Sequence, residues 1–195
     1  MEAGPPWWDA DTPADLERLR GSPTLPRHTA KIIGMAEERV LKEGDPAPEI
    51  RLQDDEGKPF ELSKLRGKNV VLYFYPKANT SGCTLESKEF SASAQQFAKH
   101  GAAIVGISPD KVDAQCKFKA KYKFPFALLA DADHATAEAY GVWKQKSMYG
   151  HKYMGIERST FLIGADGKIR RVFSKVKPAG HAAEVLEVLS SDQSK

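Results

Sequence analysis

The chain has 195 residues, 41% hydrophobic and 28% charged, with a formal net charge of +3. That composition fits a soluble globular protein long enough for one domain with a full core, and the charge is too small to argue for nucleic-acid or membrane partners. No stretch approaches the ~18–20 apolar residues of a membrane span, and the N-terminus lacks a basic region followed by an apolar core, so the cytoplasm is the expected location.

Taken in order, residues 1–40 do not read as core. Pro5-Pro6, Trp7-Trp8, Pro13, Pro23 and Pro26 stand among scattered charges, and only Leu16 and Leu19 would give a helical turn there an apolar side. A disordered or loosely docked extension is expected, with Met35 reading as a native start, then a folded domain over 41–190 and a tail over 191–195. Glu49 to Leu52 reads as a short strand, Asp54 to Lys58 as a tight turn, and Ser63 to Arg66, closed by Gly67, as a helical turn. Val70 to Tyr75 is an unbroken apolar and aromatic run, the pattern of a strand buried on both faces, and Pro76 ends it. Asn79 to Gly82 forms a turn; the helix after it carries Phe90, Ala94, Phe97 and Ala98 on one side and stops at Gly101.

Ala102 to Ile107 is a second buried strand. Ser108-Pro109-Asp110 has the form of a helix start. In the helix that follows, to about Tyr122, the i+4 series Val112, Cys116, Ala120 puts Cys116 on the apolar side, while Lys117, Lys119, Lys121 and Lys123 read as its solvated side. Phe124 to Leu129 is extended, Ala135 to Tyr140 a short helix stopped by Gly141, and Lys144 to Glu157 a loop without periodicity. Arg158 to Ile163 and Lys168 to Phe173 form a hairpin about Gly164-Ala165-Asp166-Gly167, and Gly180 to Leu189 is a closing amphipathic helix. Strand and helix alternate, then a hairpin and helix follow: an α/β sandwich of thioredoxin-like order, with a central mixed sheet flanked by helices.

Cys83 falls where the first buried strand hands over to a helix N-terminus. Unpaired N–H groups and the positive end of the helix dipole favour the thiolate, the nucleophilic form of a cysteine. Cys116 is the other thiol. Two cysteines in a chain of this size point to a reducing compartment with functional thiols rather than to a disulfide framework. The five histidines are scattered without metal-ligand spacing, so no metal or other cofactor is expected.

The run Tyr75-Pro76-Lys77-Ala78-Asn79-Thr80-Ser81-Gly82-Cys83-Thr84-Leu85-Glu86 resembles the active-site segment of peroxiredoxins, and within them the bacterioferritin-comigratory-protein (PrxQ) subfamily. Gly44 to Pro48 is similar to the family's opening segment, Phe124 to Asp131 to its middle strand, and Glu157 to Ile163 to the strand carrying its active-site arginine. The resemblance runs from about Met35 to Leu189. It implies that Cys83 is the peroxidatic cysteine, that Thr80 hydrogen-bonds thiolate and peroxide, that Pro76 shields the site, and that Arg158 stabilises thiolate and transition state. Each role has its own chemical reason. A thiolate attacking an O–O bond needs positive charge near the sulfur, donors aimed at the oxygens, and little water.

One departure matters. Many members of the subfamily carry a resolving cysteine five residues after the peroxidatic one, and here that position is Lys88. Cys116 is the remaining candidate, and two readings stand open. Either Cys116 resolves the sulfenic acid of Cys83 in an atypical two-cysteine mechanism, or it packs in the core and an external thiol does so. Resolution requires both helices to unwind locally, since disulfide-bonded Cα atoms lie within ~7 Å. The resulting expectation is a peroxidase acting on hydrogen peroxide and organic hydroperoxides, monomeric, and re-reduced by thioredoxin as the resemblance implies. A thiol–disulfide oxidoreductase is the nearest rival, disfavoured because Thr80 occupies the first position of Thr80-Ser81-Gly82-Cys83. A peroxide sensor would use the same Cys83 but oxidise once and stop.

Overall fold

The structure is a computed structural model that describes residues 40–148 and 151–192; residues 1–39 of the expected extension, Met35 among them, and the last three residues of the expected tail lie outside that range. In chain order the elements are β1 (Arg51–Asp54), β2 (Pro59–Glu61), a 3-10 turn (Leu62–Leu65), β3 (Asn69–Phe74), α1 (Ser81–Ala92), α2 (Ala94–Lys99) and β4 (Ala102–Ser108). There follow α3 (Val112–Tyr122), β5 (Ala127–Ala130), α4 (Ala135–Ala139), β6 (Trp143–Met148), β7 (His151–Ile156), β8 (Ser159–Ile163), β9 (Ile169–Ser174) and α5 (His181–Asp192).

Seven strands form one mixed sheet in the order β2-β1-β5-β4-β3-β8-β9. β3 lies parallel to β4 and antiparallel to β8, with Leu72 opposite Val105 on one side and Phe161 on the other. The apolar run of β3 is buried throughout from Val70 to Phe74 because both sheet faces are covered. Alternation then sorts the residues. Val70, Leu72 and Phe74 join Val105, Ile107, Phe161 and Tyr140 on one face. Val71, Tyr73 and Tyr75 join Phe90, Phe97, Phe118, Leu128 and Val185 on the other, with Cys83 among them. This is the sandwich anticipated from the order of elements.

Five local expectations change. The segment read as a loop from Lys144 to Glu157 forms the antiparallel hairpin β6–β7, paired from Trp143↔Ile156 to Met148↔His151. It stands as its own two-stranded sheet, and β7 is exposed from His151 to Met154, so no buried face imposes an apolar alternation that sequence could reveal. The single helix expected after Cys83 is two, broken at Ser93 (φ −92°, ψ 0°); serine hydroxyls compete for backbone partners and tolerate such a break. Ser108 ends β4 and the helix begins at Val112 behind Lys111, so Ser108-Pro109-Asp110 is a connection rather than a cap. α5 runs on to Asp192, taking in the start of the expected tail.

The fifth change concerns α3. Its buried side chains are Gln115 and Phe118, and Cys116 is exposed. The expectation that Val112, Cys116 and Ala120 formed the apolar side is wrong: the inward stripe is set by Phe118, and Gln115 goes inward because its amide donates to Ser108 Oγ (2.8 Å) and the Leu129 carbonyl (2.9 Å). The lysine run is likewise not wholly solvated, since Lys119 pairs with buried Asp55 (2.9 Å).

Candidate active site

The site lies where β3 ends. Phe74 pairs with Ser159, so Arg158 emerges beside Tyr75 just as the chain leaves the sheet. Tyr75 stays anchored by its N–H to the Ile107 carbonyl (3.0 Å) and by its hydroxyl to Gln115. The loop is tied to the β4–α3 connection: the Ala78 N–H donates to Asp110 (2.7 Å), which also accepts from Ser108 Oγ (2.7 Å). Asn79 takes a left-handed backbone (φ 60°) and accepts from Lys121 Nζ (2.8 Å) and the Tyr122 hydroxyl (3.2 Å). The chain then turns into α1 with Thr80 at the N-cap, and the Thr80 carbonyl accepts the Thr84 N–H (2.9 Å). The N–H groups of Ser81, Gly82 and Cys83 therefore precede the first intrahelical bond, clustered at the positive end of the dipole.

Cys83 is only 1% exposed. Arg158 Nη2 donates to its Sγ at 3.2 Å, and Nη1 pairs with Glu86 Oε2. Glu86 is wholly buried; its other oxygen has no partner among the described residues. Burial pushes the Glu86 carboxyl up to about 7, with the guanidinium pulling the other way. Burial works against the charge on Arg158, but the facing Glu86 and Cys83 outweigh it and leave the guanidinium above its ordinary value. One cation thus bridges a thiol and a carboxyl in a nearly dry setting, where its charge is weakly screened.

Of the residues singled out in the sequence, Cys83 and Arg158 meet directly, and Pro76 is half-buried at the strand end. Thr80 is exposed; its hydroxyl donates to the Lys77 carbonyl (3.1 Å), so its proton is already committed. Cys116 sits on the outer face of α3. Glu86 was missed, although it stands three residues after Cys83 on the same helical side, the spacing at which side chains meet. His181 was missed too. It is 1% exposed at the start of α5, contacts Thr160 Oγ1 (2.8 Å) and Glu184 (3.2 Å), and burial lowers its pKa despite the carboxylate beside it.

A thiol buried at a helix N-terminus beneath a guanidinium, on a thioredoxin-like sheet, defines a thiol-based redox enzyme. Residues 43–172 match the AhpC/TSA family, and the chain belongs to it. Peroxiredoxin Bcp of Bacillus subtilis (strain 168) is 47% identical over 150 residues, covering 77% of this chain and 96% of that protein. Peroxiredoxin Bcp of Escherichia coli (strain K12) is 42% identical over 149 residues, covering 76% and 96%. A structure of Xanthomonas campestris peroxiredoxin Q superposes with a TM-score of 0.72 at 42% identity, covering 79% of this chain and 98% of that one. That membership makes the chain a thiol peroxidase. Among the described residues no helix is long and apolar enough to cross a membrane.

Proposed function

We propose that Cys83 is the peroxidatic cysteine, that it reduces hydrogen peroxide and organic hydroperoxides, and that Cys116 resolves its sulfenic acid. The observation carrying this reading is the 3.2 Å approach of Arg158 Nη2 to the sulfur of an almost fully buried cysteine at the first turn of α1. The Cys83 thiolate attacks one peroxide oxygen and the O–O bond breaks. The far oxygen leaves as hydroxide or alkoxide and takes up a proton as water or alcohol, leaving Cys83 as sulfenic acid. The N-terminal N–H groups of α1 and the Arg158 guanidinium face the charge that develops on the oxygens. With its proton on the Lys77 carbonyl, the Thr80 hydroxyl offers its oxygen to the peroxide O–H. Pro76, which has no N–H to hydrate, closes the strand side.

The exposure of Cys116 removes the reading in which it is a core residue and leaves its sulfur open to both partners it needs. Its thiolate attacks the Cys83 sulfur, the S–O bond breaks, and hydroxide departs as water with the proton that Cys116 gave up. A dithiol protein of the thioredoxin class then returns both cysteines to thiols, in the reducing cytoplasm where we place the enzyme.

The test is one equivalent of hydrogen peroxide on reduced protein, followed by intact mass and peptide mapping for the parent chain and Cys116→Ser. A Cys83–Cys116 disulfide in the former and a sulfenic acid at Cys83 in the latter are expected. Oxidation confined to Cys83 in both would make this a one-cysteine enzyme, and an unreactive Cys83 would remove its role.

A further inference from the structure

Residues 175–180 connect β9 to α5 and cross the first turns of α1 as a strap. Its ends are corners: Lys175 (φ 54°) and Gly180 (φ 80°) both hold left-handed backbone. Three contacts fix it. The Val176 N–H donates to the Arg158 carbonyl (3.0 Å). Pro178 lies on Gly82, where even a Cβ would meet the proline Cγ at 3.3 Å and Arg158 Nη2 at 3.6 Å. The Gly180 N–H donates to both carboxylate oxygens of Glu89, at 3.1 and 2.9 Å. One short segment therefore holds the backbone of Arg158, the residue before Cys83, and a carboxylate further along the same helix.

The chemistry asks for two geometries. Peroxide reduction needs the Cys83 sulfur buried under Arg158, whereas disulfide formation needs its Cα within ~7 Å of a cysteine on the outer face of another helix. Something must hold the first arrangement yet release it within a catalytic cycle. The Glu89–Gly180 contact is suited to this, being charge-assisted, aligned with the N-terminal dipole of the twelve-residue α5, and open to water.

We propose that Glu89 is a positioning residue that clasps the strap onto α1 and so keeps Cys83 against Arg158, and that its release frees the Cys83 turn to move toward Cys116. The proposal rests on Cys83 being the nucleophile. The step it controls is attack of the Cys116 thiolate on the sulfenic sulfur of Cys83, with S–S formation, S–O cleavage and loss of water.

The test is the rate at which iodoacetamide alkylates Cys83 in the reduced full-length protein, resolved by mass, for the parent chain, Glu89→Gln, Glu89→Ala and Leu186→Ala. Leu186 is a half-buried residue of α5, six residues beyond the end of the strap, and controls for loss of stability. Glu89→Ala is expected to speed alkylation of Cys83 about fivefold, the scale of one charge-assisted hydrogen bond at a solvent edge. Glu89→Gln falls between, and Leu186→Ala stays at the parent rate. After one equivalent of peroxide, Glu89→Ala should also form disulfide faster and sulfenic acid more slowly. Unchanged alkylation in Glu89→Ala, or equal acceleration in Leu186→Ala, overturns the clasp. A Cys83 inert to peroxide would instead overturn the catalytic role proposed for it, and alkylation would still decide whether Glu89 holds the turn shut.

Discussion

Replacing Arg158 by methionine removes the cation that Glu86 shares with Cys83 and leaves a wholly buried carboxyl with no counter-charge. In the parent chain burial has already moved Glu86 from 4.5 to about 7 against the pull of the guanidinium, so losing that pull moves it above 7. Between the unfolded and folded values the native chain holds a proton on Glu86 that the unfolded chain has released. The contribution to stability is therefore complete below about pH 4.5 and declines as pH rises, by about 1.4 kcal/mol per unit, until the folded value is reached. The parent stops losing stability from this source near pH 7; the variant goes on. The difference between the two chains should be small and flat below about pH 6.5. Above pH 7 it should widen by about 1.4 kcal/mol per unit, toward the ~3–5 kcal/mol that breaking a buried ion pair costs. Urea unfolding at about pH 5.5, 7 and 8.5, with both chains carrying Cys83→Ser to remove the thiol, measures this, and the interval from pH 7 to 8.5 decides it, because Arg158 also lowers the pKa of His181 and its loss changes that group's contribution only below about pH 6.5. A difference that is constant from pH 7 to 8.5 would refute the account of Glu86. With Cys83 restored, the same substitution should slow peroxide reduction by about 10²–10³, the scale of removing one donor from a developing anion.

Gly106→Ala should destabilise by about 1–3 kcal/mol through overpacking, since a Cβ there meets the Tyr73 ring at 2.7 Å and Leu128 at 2.8 Å; an unchanged melting temperature would refute this. Asp55→Ala strands the buried Leu128 N–H and the Lys119 ammonium that the carboxylate now accepts, both at 3.0 Å. Denaturant titration should show a loss of about 2–4 kcal/mol. Burial holds the His181 pKa below 6.5, so its contribution is complete above about pH 6.5 and is lost as pH falls. His181→Gln should flatten the acid side of the stability profile.

Sequence carried far where a pattern had one physical cause. Val70 to Phe74 could be assigned as a central strand because burial on both faces leaves no room for polar residues. The Cys83–Arg158 pairing was accessible from the family resemblance, and the register Phe74↔Ser159 explains it. Failures came where two causes compete. On α3 an apolar count favoured Cys116, while the inward position went to Gln115, whose amide satisfies two buried acceptors that no local pattern announces. The hairpin β6–β7 has no buried face along most of β7, so it left no periodicity to read. The strap depends on contacts between residues 82 and 178 and between 89 and 180, which are far apart in the chain and have no local signature.

The break at Ser93 bears on how the molecule survives its own cycle. Helical hydrogen bonding is cooperative, so fraying that starts at one end travels until something interrupts it. In a single helix from Ser81 to Lys99, pulling the first turn outward would load Phe97 and the strand beyond Gly101. Here the ladder restarts after Ser93, where Gln96 and Phe97 take the Ser93 carbonyl as their acceptor. Phe90, stacked on Tyr73 with ring centroids 4.9 Å apart, holds the near side. The joint acts as a firebreak: if the first turn of α1 opens in the proposed resolution step, fraying stops at Ser93, and Phe97 and β4 beyond it are not disturbed.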